Sequence, residues 1–483
     1  MYKLEFTLKQ HTPLIHFQHD QDGATLRATE VKPKLDRFII ERMGDGDYEA
    51  GRSIAKQKKW LINDQKGALD YKMRMTDSHD EDENERLEFI GYNDPQEGNI
   101  EKFKVKGRSP YPMILANMAG QKAKEDLKDL RFYKSIQGAI LGLKRDLVKE
   151  IESSIKLFFA RNNFGNRSNK GYGGFSVIKI NDKEQRWEEG LLPPQTTFLK
   201  IASSDIKNVF GVIDYFFKWL KSGINYSFDF RERRCHIDRY KKSVLFEYLE
   251  SRYSSSPEIN SNWEKRWIKE NYLSLLPLTP SPYKAEYYRA LLGLSDKYTF
   301  TQAKCNNDPL MVSNFQNNLR GKVELENFNK DIERIKSPIT FKVININNSL
   351  TKVYILIDSG HIQYIYNNGI NRRFTFFKEK TLSINYRIGG KEYALNFNAL
   401  RDSISELDKH LTRLEPFRNQ EQLYTYYNKI EKFKRSLSTI DLPQNKLDYS
   451  ALIEFFKSRY PSFDVKDFGW RSIVKNVSVE KIP

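Results

Sequence analysis

The sequence predicts an α+β fold in two consecutive units. Three observations support this: alternating strand segments near the N-terminus, apolar residues at helical spacing before a glycine-rich stretch, and a second half in which strand-rich runs precede helical ones. In chain order, the first unit reads as a strand, a helix, two short strands, a long helix and a strand, expected at about 2–9, 33–43, 86–90, 100–106, 127–158 and 175–180. This order is typical of a ferredoxin-like βαββαβ unit.

The first strand and helix are predicted from short patterns. Leucine and phenylalanine alternate with polar residues in Tyr2–Lys9, as in a strand that buries one face. Thr12-Pro13 ends this strand. An apolar stripe in the next segment indicates a helix, which we expect to begin near Pro33 because proline is well tolerated in a first helical turn.

The long helix is predicted from apolar residues that recur every three or four positions from Leu127 to Phe158. It leads into the glycine-rich stretch Arg161–Phe175, and Phe175–Ile180 then has strand composition. The order helix, loop, strand and the spacing of the glycines exclude a dinucleotide-binding fingerprint and a nucleotide P-loop.

The glycine-rich loop is the segment that we expect to carry the function. Its glycines allow left-handed backbone angles and the close approach of another chain, and successive N–H groups in such turns form a concavity for an anion. Arg167 and Lys170 add positive charge and Tyr172 adds a ring, a combination suited to phosphate and base. A tight helix-to-strand turn without a ligand is the alternative.

The second unit is expected to begin near residue 190, because Leu191-Leu-Pro-Pro194 lies in a linker-like stretch at 182–197. The domains are therefore assigned to residues 1–190 and 191–483, the second with helical insertions and C-terminal helices. Its elements are expected to be helices and two hairpins, at 208–221, 246–253, 337–357, 384–397, 400–436 and 449–456.

The 483-residue chain carries a formal net charge of +17, which indicates a polyanionic partner. The basic residues are interleaved with Tyr and Phe, which can stack on bases, so we favour nucleic acid over a charge that serves solubility alone. One basic cluster lies at the first predicted helix, where an external anion and solvent are equally plausible partners; it comprises Arg27, Lys32, Lys34 and Arg37.

Catalytic and metal-binding patterns are weak. His16, His19 and Asp20 have competent ligand chemistry, but their spacing is poor for one site. The acidic run Asp77–Glu85 lacks the glycine and the alternate spacing of a calcium loop. The two cysteines cannot build a disulfide framework or a thiolate cluster. We predict no catalytic residue, no metal and no cofactor. No apolar run approaches the length of a membrane span, so we expect a cytoplasmic protein.

Asn163–Phe175, with the sequence NFGNRSNKGYGGF, resembles the glycine-rich loop of the RAMP superfamily of CRISPR effector subunits. It is most similar to the pattern of the first subunit of the type III-B Cmr complex, where a helix runs into Phe-Gly-x-Arg-x-Lys/Arg-Arg-Gly-Phe/Tyr-Gly. Further segments resemble short motifs of that family in the same order, at 8–17, 23–35, 289–295 and 334–343. Asn166 and Asn169 depart from the pattern.

The resemblance implies two ferredoxin-like (RRM-like) RAMP domains in a non-catalytic RNA-binding subunit of a type III-B CRISPR effector complex for antiviral defence. Such a subunit contacts the 3′ part of the guide RNA, the target RNA, or both, and assembles with other RAMP subunits away from any membrane. Contacts to the RNA backbone read its shape and accept any guide sequence. The residues expected to contact RNA are Arg27, Lys32, Lys34, Arg37, Asn163, Gly165, Arg167, Lys170, Gly171, Tyr172, Gly173 and Gly174.

Two alternatives stay open. A metal-independent CRISPR RNA-processing endoribonuclease of the same superfamily would use His16 or His19 as general acid–base. Such relatives usually carry the glycine-rich loop toward the C-terminus, and here it is central. The other alternative is a scaffold whose basic face meets acidic partner subunits.

Overall fold

The computed structural model describes residues 1–14, 26–63, 66–77, 85–87, 130–132, 135–165, 167–224, 228–229, 234–235, 241–252, 288–293, 297–301, 320–326, 336–358, 383–388, 391–396, 447–465 and 474–482. The chain forms two compact units. One comprises residues 1–217, 339–357 and 456–483, and the other comprises residues 218–338 and 358–455.

The first sheet is built from the N-terminal part of the chain. The elements there are β1 (Tyr2–Gln10), α1 (Ala28–Met43), α2 (Tyr48–Gln57), β2 (Leu61–Asn63), β3 (Lys66–Leu69), β4 (Tyr71–Asp77), β5 (Glu85–Leu87), β6 (Leu130–Phe132), β7 (Ile136–Gly142), α3 (Arg145–Arg161), β8 (Phe175–Ile180) and β9 (Lys183–Glu184). The strand order is β4-β7-β1-β8-β9, and every neighbouring pair is antiparallel. Two hairpins, β2-β3 and β5-β6, lie outside this sheet.

One face of this sheet packs on helices α1 and α3. In β1 the buried residues alternate with Lys3, Glu5 and Lys9, which are exposed, so the strand buries one face as predicted. The core under the helices includes Leu35 of α1 and Ile151 of α3. This arrangement leaves the other face of the sheet turned away from the helices.

The predicted long helix at 127–158 is wrong in its first half. Residues 136–142 form β7, with buried and less buried residues in alternation, and α3 begins only at Arg145. A Cβ at Gly138 would lie 2.0 Å from the ring of Phe6, so β7 needs a glycine to lie beside β1. Apolar residues in this stretch fit both periods, and the pairing with β1, which places Gly138 against Phe6, decides for the strand.

Of the predicted strand pair at 86–90 and 100–106, the described residues 85–87 do form a strand, but their partner is β6. β4 and β7 occupy the place of the predicted pair in the sheet, and 100–106 lies outside the described residues. Helix α1 begins at Ala28, five residues before the predicted Pro33, which lies inside it. A proline in the second turn removes only one hydrogen bond near the helix start.

The second sheet draws on the rest of the chain. The elements there are β10 (Thr197–Ile201), α4 (Ile206–Ser222), β11 (Phe228–Asp229), β12 (Arg234–Cys235), α5 (Val244–Arg252), β13 (Lys297–Thr301), β14 (Arg320–Glu326), β15 (Ile339–Asn347), β16 (Leu350–Ile357), β17 (Ser383–Ile388), β18 (Lys391–Asn396), α6 (Tyr449–Arg459), β19 (Ser462–Val465) and β20 (Val474–Lys481). Its order is β15-β16-β10-β20-β19, again antiparallel. A separate sheet has the order β13-β14-β17-β18.

The predicted α+β class is confirmed as a mixture of helices and antiparallel sheets. Both predicted hairpins form, as β15-β16 and β17-β18. The final helix predicted at 449–456 is confirmed as α6, but the prediction missed β19 and β20 after it, and β20 pairs with β10. Buried Val477 and Val479 alternate with polar residues, a strand pattern that the helical expectation overlooked. Residues 400–436 lie outside the described part of the chain. Among the described helices, none is long and apolar enough to span a membrane.

Candidate nucleic-acid interface

The glycine-rich loop connects the C-terminal end of α3 to β8. Asn162 follows the last turn of α3, and Asn163 then forms a bridge with Gly174 that closes the loop at its base. Gly173 has a φ of +64°, and a Cβ there would lie 1.9 Å from the carbonyl oxygen of Phe164. Gly173 therefore has the predicted left-handed backbone, but the chain that approaches it closely is the protein's own backbone at Phe164.

Six backbone N–H groups of the loop, which we expected to face a phosphate, already have acceptors in the protein. The N–H of Gly165 donates to the Glu30 carboxylate at 2.5 Å, that of Gly173 to the Pro13 carbonyl, and that of Gly174 to the Thr12 hydroxyl. Three further N–H groups, of Phe164, Lys170 and Gly171, donate to carbonyls of the loop. Because these donors already have protein acceptors, they cannot also bind a phosphate without breaking the loop.

Tyr172 contributes to the core. Its ring is buried and stacks on Phe210 of α4, with 4.1 Å between ring centroids and 15° between planes. A Cβ at Gly171 would contact Val343 and Ile213, so this half of the loop is packed on both sides. The expected stacking of Tyr172 on a base is therefore not available in this structure.

The accessible side of the loop carries its two cations. Gly165, Arg167 and Lys170 are all partly exposed. The Lys170 ammonium lies 3.1 Å from the centroid of the Phe217 ring, a cation–π contact. Partial burial lowers the pKa of the Arg167 guanidinium, and nearby Tyr172 opposes this shift, yet arginine stays charged at neutral pH. Asn166 lies outside the described residues.

The basic cluster of α1 consists of one largely buried residue, Lys32, and three that lie at the helix start or on its exposed side. Lys32 is largely buried, pairs with Asp36 at 2.7 Å and donates to the Leu69 carbonyl, so it holds α1 to the strand beside it. Arg27 lies at the start of the helix. The side chain of Arg37 is 72% exposed and pairs with Glu41 of its own helix. Three of the four charges pair with acidic residues of α1 at i, i+4 spacing: Lys32 with Asp36, Lys34 with Glu30 and Arg37 with Glu41.

Lys34 and Glu30 connect α1 to the loop. The Lys34 ammonium lies 3.5 Å from the Glu30 carboxylate and 4.9 Å from the centroid of the Phe164 ring. Glu30 also accepts the Gly165 N–H. The two predicted basic regions, α1 and the loop, are thus adjacent in space.

Lys342 was not among the candidates predicted from the sequence, and it fastens the loop. It lies on β15, is fully buried, and donates to the carbonyls of Phe159, Asn162 and Phe175 at 2.7, 2.9 and 2.8 Å. Two of these carbonyls are at the C-terminal end of α3, where a positive charge is favoured by the helix dipole. Burial lowers the pKa of Lys342 to about 7. The sequence signal for this role was a single lysine within an otherwise apolar strand segment, which suggests a buried lysine with hydrogen-bond partners.

Asn163 and His11 complete the junction between the two sheets of this unit. The Asn163 amide donates to the carbonyls of Ser168 and Phe341, at 2.7 and 2.8 Å. His11 is buried, its Nε2 lies 2.7 Å from the Ser176 hydroxyl, and its Nδ1 accepts the Asn345 N–H at 3.0 Å. Burial is the main cause that lowers the pKa of His11, with the charges of Lys342 and Lys9 adding to it.

The other candidate motifs give no site in the described structure. His16, His19 and Asp20 lie outside the described residues, as does most of the acidic run at 77–85. Among the residues that are described, no three His, Cys, Asp or Glu side chains converge in a way that could hold a metal ion.

Two family models match the sequence. The Cmr1 N-terminal domain matches residues 1–224, and the Cmr1 C-terminal domain matches residues 240–404. The chain belongs to the Cmr1 family. The Cmr1 N-terminal match includes the glycine-rich loop and α1, and the C-terminal match includes Lys342. Among curated proteins, none matches the sequence.

Solved structures with similarity include Cmr1 from Pyrococcus furiosus in its apo form, at 12% identity, covering 74% of this chain and 88% of that one with a TM-score of 0.27. A chain of the type III-B Cmr-β complex with cognate target RNA, AMPPnP and ssDNA has 11% identity, 73% and 94% coverage and a TM-score of 0.33. Another, from that complex bound to cognate target RNA, has 14% identity, 37% and 59% coverage and a TM-score of 0.22, so the chain spans less than two thirds of it. The family assignment depends on the family models alone.

Proposed function

We propose that this Cmr1-family chain is a non-catalytic RNA-binding subunit of a type III-B (Cmr) RNA-guided effector complex in antiviral defence. The observation that carries this proposal is the match of Cmr1 domains to both halves of the chain. The net charge of +17 supports a polyanionic ligand. Its partners would be guide RNA, target RNA and the other RAMP subunits of the complex.

We infer a duplicated architecture within the chain. The six elements β1, α1, β4, β7, α3 and β8 correspond in order to β10, α4, β15, β16, α6 and β20. The strand orders β4-β7-β1-β8 and β15-β16-β10-β20 correspond position by position. This correspondence supports two ferredoxin-like (RRM-like) domains, residues 1–190 and 191–483. The second then carries long insertions after α4 and after β16.

The RNA interface would be the accessible side of the glycine-rich loop together with the adjacent part of α1. Arg167, Lys170 and Lys34 are the cations that this surface offers to phosphates. Of the other predicted residues, Asn163, Gly165, Gly171, Tyr172, Gly173 and Gly174 would act by holding the loop in shape, and Lys32 by holding α1 to β3. Arg27 and Arg37 of α1 stay predicted contacts to RNA. Contacts from arginine and lysine to phosphates carry no sequence information, which suits a subunit that must accept any guide.

The interface is tested with the double variant Arg167→Glu, Lys170→Glu. Binding to the 3′ part of a CRISPR RNA and to an unrelated RNA of equal length is measured by mobility shift. We expect similar loss for both RNAs, because each lost phosphate contact weakens binding regardless of sequence. The matched control, Arg145→Glu with Lys149→Glu, makes the same charge change at exposed positions of α3 and should bind nearly as the wild type. Undiminished binding by the loop variant would remove the loop from the interface.

The enzyme alternative has no support from the described histidine. His11 is buried, and both of its ring nitrogens have protein partners, so it cannot reach a bound RNA. Repeat RNA incubated with the purified chain in a chelator should stay intact. Cleavage that disappears in a His16→Ala variant would favour an endoribonuclease instead.

A further inference from the structure

The face of the first sheet that is turned away from helices α1 and α3 is strongly cationic. Five of its side chains are exposed lysine or arginine residues from three strands: Lys3, Lys9, Lys72, Arg74 and Lys179. The strand register brings them together. Lys72 of β4 and Lys3 of β1 flank Leu141 of β7, and Arg74 lies one step further along β4. We call these five residues the open-face cations.

Few carboxylates balance this charge. Glu5 lies on the same face and pairs with Lys3 at 2.6 Å. Glu184 lies opposite Lys179 in the register of β8 and β9. Within the described residues, Lys9, Lys72 and Arg74 have no ion-pair partner. Positions two apart on a strand are about 7 Å apart and adjacent strands about 5 Å apart, so Lys3, Lys72 and Arg74 lie within about 7 to 12 Å of one another, close to a Debye length. Lys9 lies about 20 Å from Lys3 along β1 and extends the row of cations toward the loop.

The chemistry of the face favours a nucleic-acid backbone over a protein. Between the cations lie Thr7, Gln137, Ala139 and Leu141, of which Gln137 is exposed and the other three are partly exposed. Stable protein interfaces need a buried apolar core with aromatic anchors, and the described residues of this face present neither. Without an aromatic ring, the face cannot stack on bases, so its contacts would go to phosphates.

The face is continuous with the loop region. Lys9 is the last open-face cation of β1, and the chain then continues to His11, Thr12 and Pro13. Thr12 and Pro13 accept hydrogen bonds from loop N–H groups. A nucleic-acid strand that leaves the loop region along β1 would therefore meet the open-face cations next.

We propose that the open face of the first sheet is a second binding surface, for the phosphate backbone of single-stranded RNA. The choice of RNA as the polyanion rests on the proposed function. The face binds without sequence preference, and Lys72 and Arg74 at the β4 edge contribute charge that no other protein group neutralises in the described structure.

The test compares three double variants: Lys72→Gln with Arg74→Gln on the open face, Arg167→Glu with Lys170→Glu in the loop, and Arg145→Gln with Lys149→Gln on α3 as the matched control for the open face. The full chain binds a fluorescent oligouridylate over a series of salt concentrations. The open-face variant should bind RNA about tenfold more weakly than the wild type. Its plot of log K against log salt concentration should be shallower, with a slope less negative by roughly 1.4, because each lost phosphate contact to a single strand changes the slope by about 0.7. Both substituted side chains are exposed, so circular dichroism should match the wild type.

The outcomes separate the two proposals. If the open-face variant matches the control in affinity and slope while the loop variant loses binding, the proposed function stands and this inference is overturned. If the wild type itself does not bind RNA, the proposed function fails as well. If the open-face variant binds RNA normally but loses affinity for poly-glutamate, the face serves an acidic polypeptide, and the RNA assignment is overturned.

Discussion

Replacing Lys342 by methionine tests whether this buried lysine fastens the glycine-rich loop. The substitution keeps most of the side-chain volume and removes the donor to three carbonyls, of Phe159, Asn162 and Phe175, at 2.7 to 2.9 Å. A buried acceptor that loses its partner costs on the order of 1 kcal/mol or more; the ammonium can donate to three acceptors and the neutral amine to two, so we predict a loss of about 2 to 3 kcal/mol at pH 7. The loss should appear where the loop joins α3, β8 and β15.

The same variant also predicts a pH dependence. Lys342 has a pKa of about 7 in the folded chain and about 10.4 when unfolded, so above pH 7 the unfolded chain holds a proton that the folded chain has lost. The contribution of Lys342 to stability therefore rises with pH between these values, by up to about 1.4 kcal/mol per pH unit, and is flat below pH 7. The stability difference between wild type and Lys342→Met should grow from pH 7 to pH 9.

The measurement is the free energy of opening from hydrogen exchange of peptides covering 158–180 and 339–357, together with urea unfolding at pH 7, 8 and 9. Lys200→Met is the matched control, because Lys200 lies on β10 of the same sheet and is 45% exposed, with a partner at 3.4 Å. Its loss should be within about 0.5 kcal/mol. If Lys342→Met is no more destabilising than this control, or if the difference does not change with pH, the reasoning about Lys342 is refuted.

Two further substitutions probe the loop and the end of β1. Gly173→Ala should destabilise the folded chain by roughly 2 to 4 kcal/mol, because the added Cβ would lie 1.9 Å from the Phe164 carbonyl oxygen. Gly190→Ala is the control, since a Cβ there would meet open space. If both variants melt at the same temperature in a thermal unfolding experiment, the prediction for Gly173 is wrong. Stability should fall below about pH 6.5 by up to about 1.4 kcal/mol per pH unit, because His11 stays neutral in the fold and binds a proton when unfolded. His11→Gln should flatten that part of a urea-unfolding pH profile, and an unchanged profile would exclude His11 as its source.

The sequence was sufficient for elements whose pattern fits one period only. β1 and β8 alternate or have strand composition, α4 has a continuous apolar stripe, and the β15-β16 hairpin has a clear turn, so each was predicted close to its observed bounds. The resemblance of the glycine-rich motif, together with the order of the shorter segments around it, was likewise sufficient for the family. It was not sufficient for 136–142, where the apolar residues fit two periods and contact with Phe6 decided for a strand.

The glycines and charged residues of the loop by themselves determined that this segment turns sharply and carries Arg167 and Lys170. Only the tertiary structure decided which of its groups are free to meet a ligand. Glu30, Thr12 and Pro13 take the N–H groups expected for phosphate, and Phe210 covers Tyr172. Lys342 and Phe341 hold the loop from β15, and the hydrogen bond from Asn163 to Phe341 spans 178 positions. Burial and hydrogen-bond partners are properties of segments brought together by folding, and a local pattern carries no record of them.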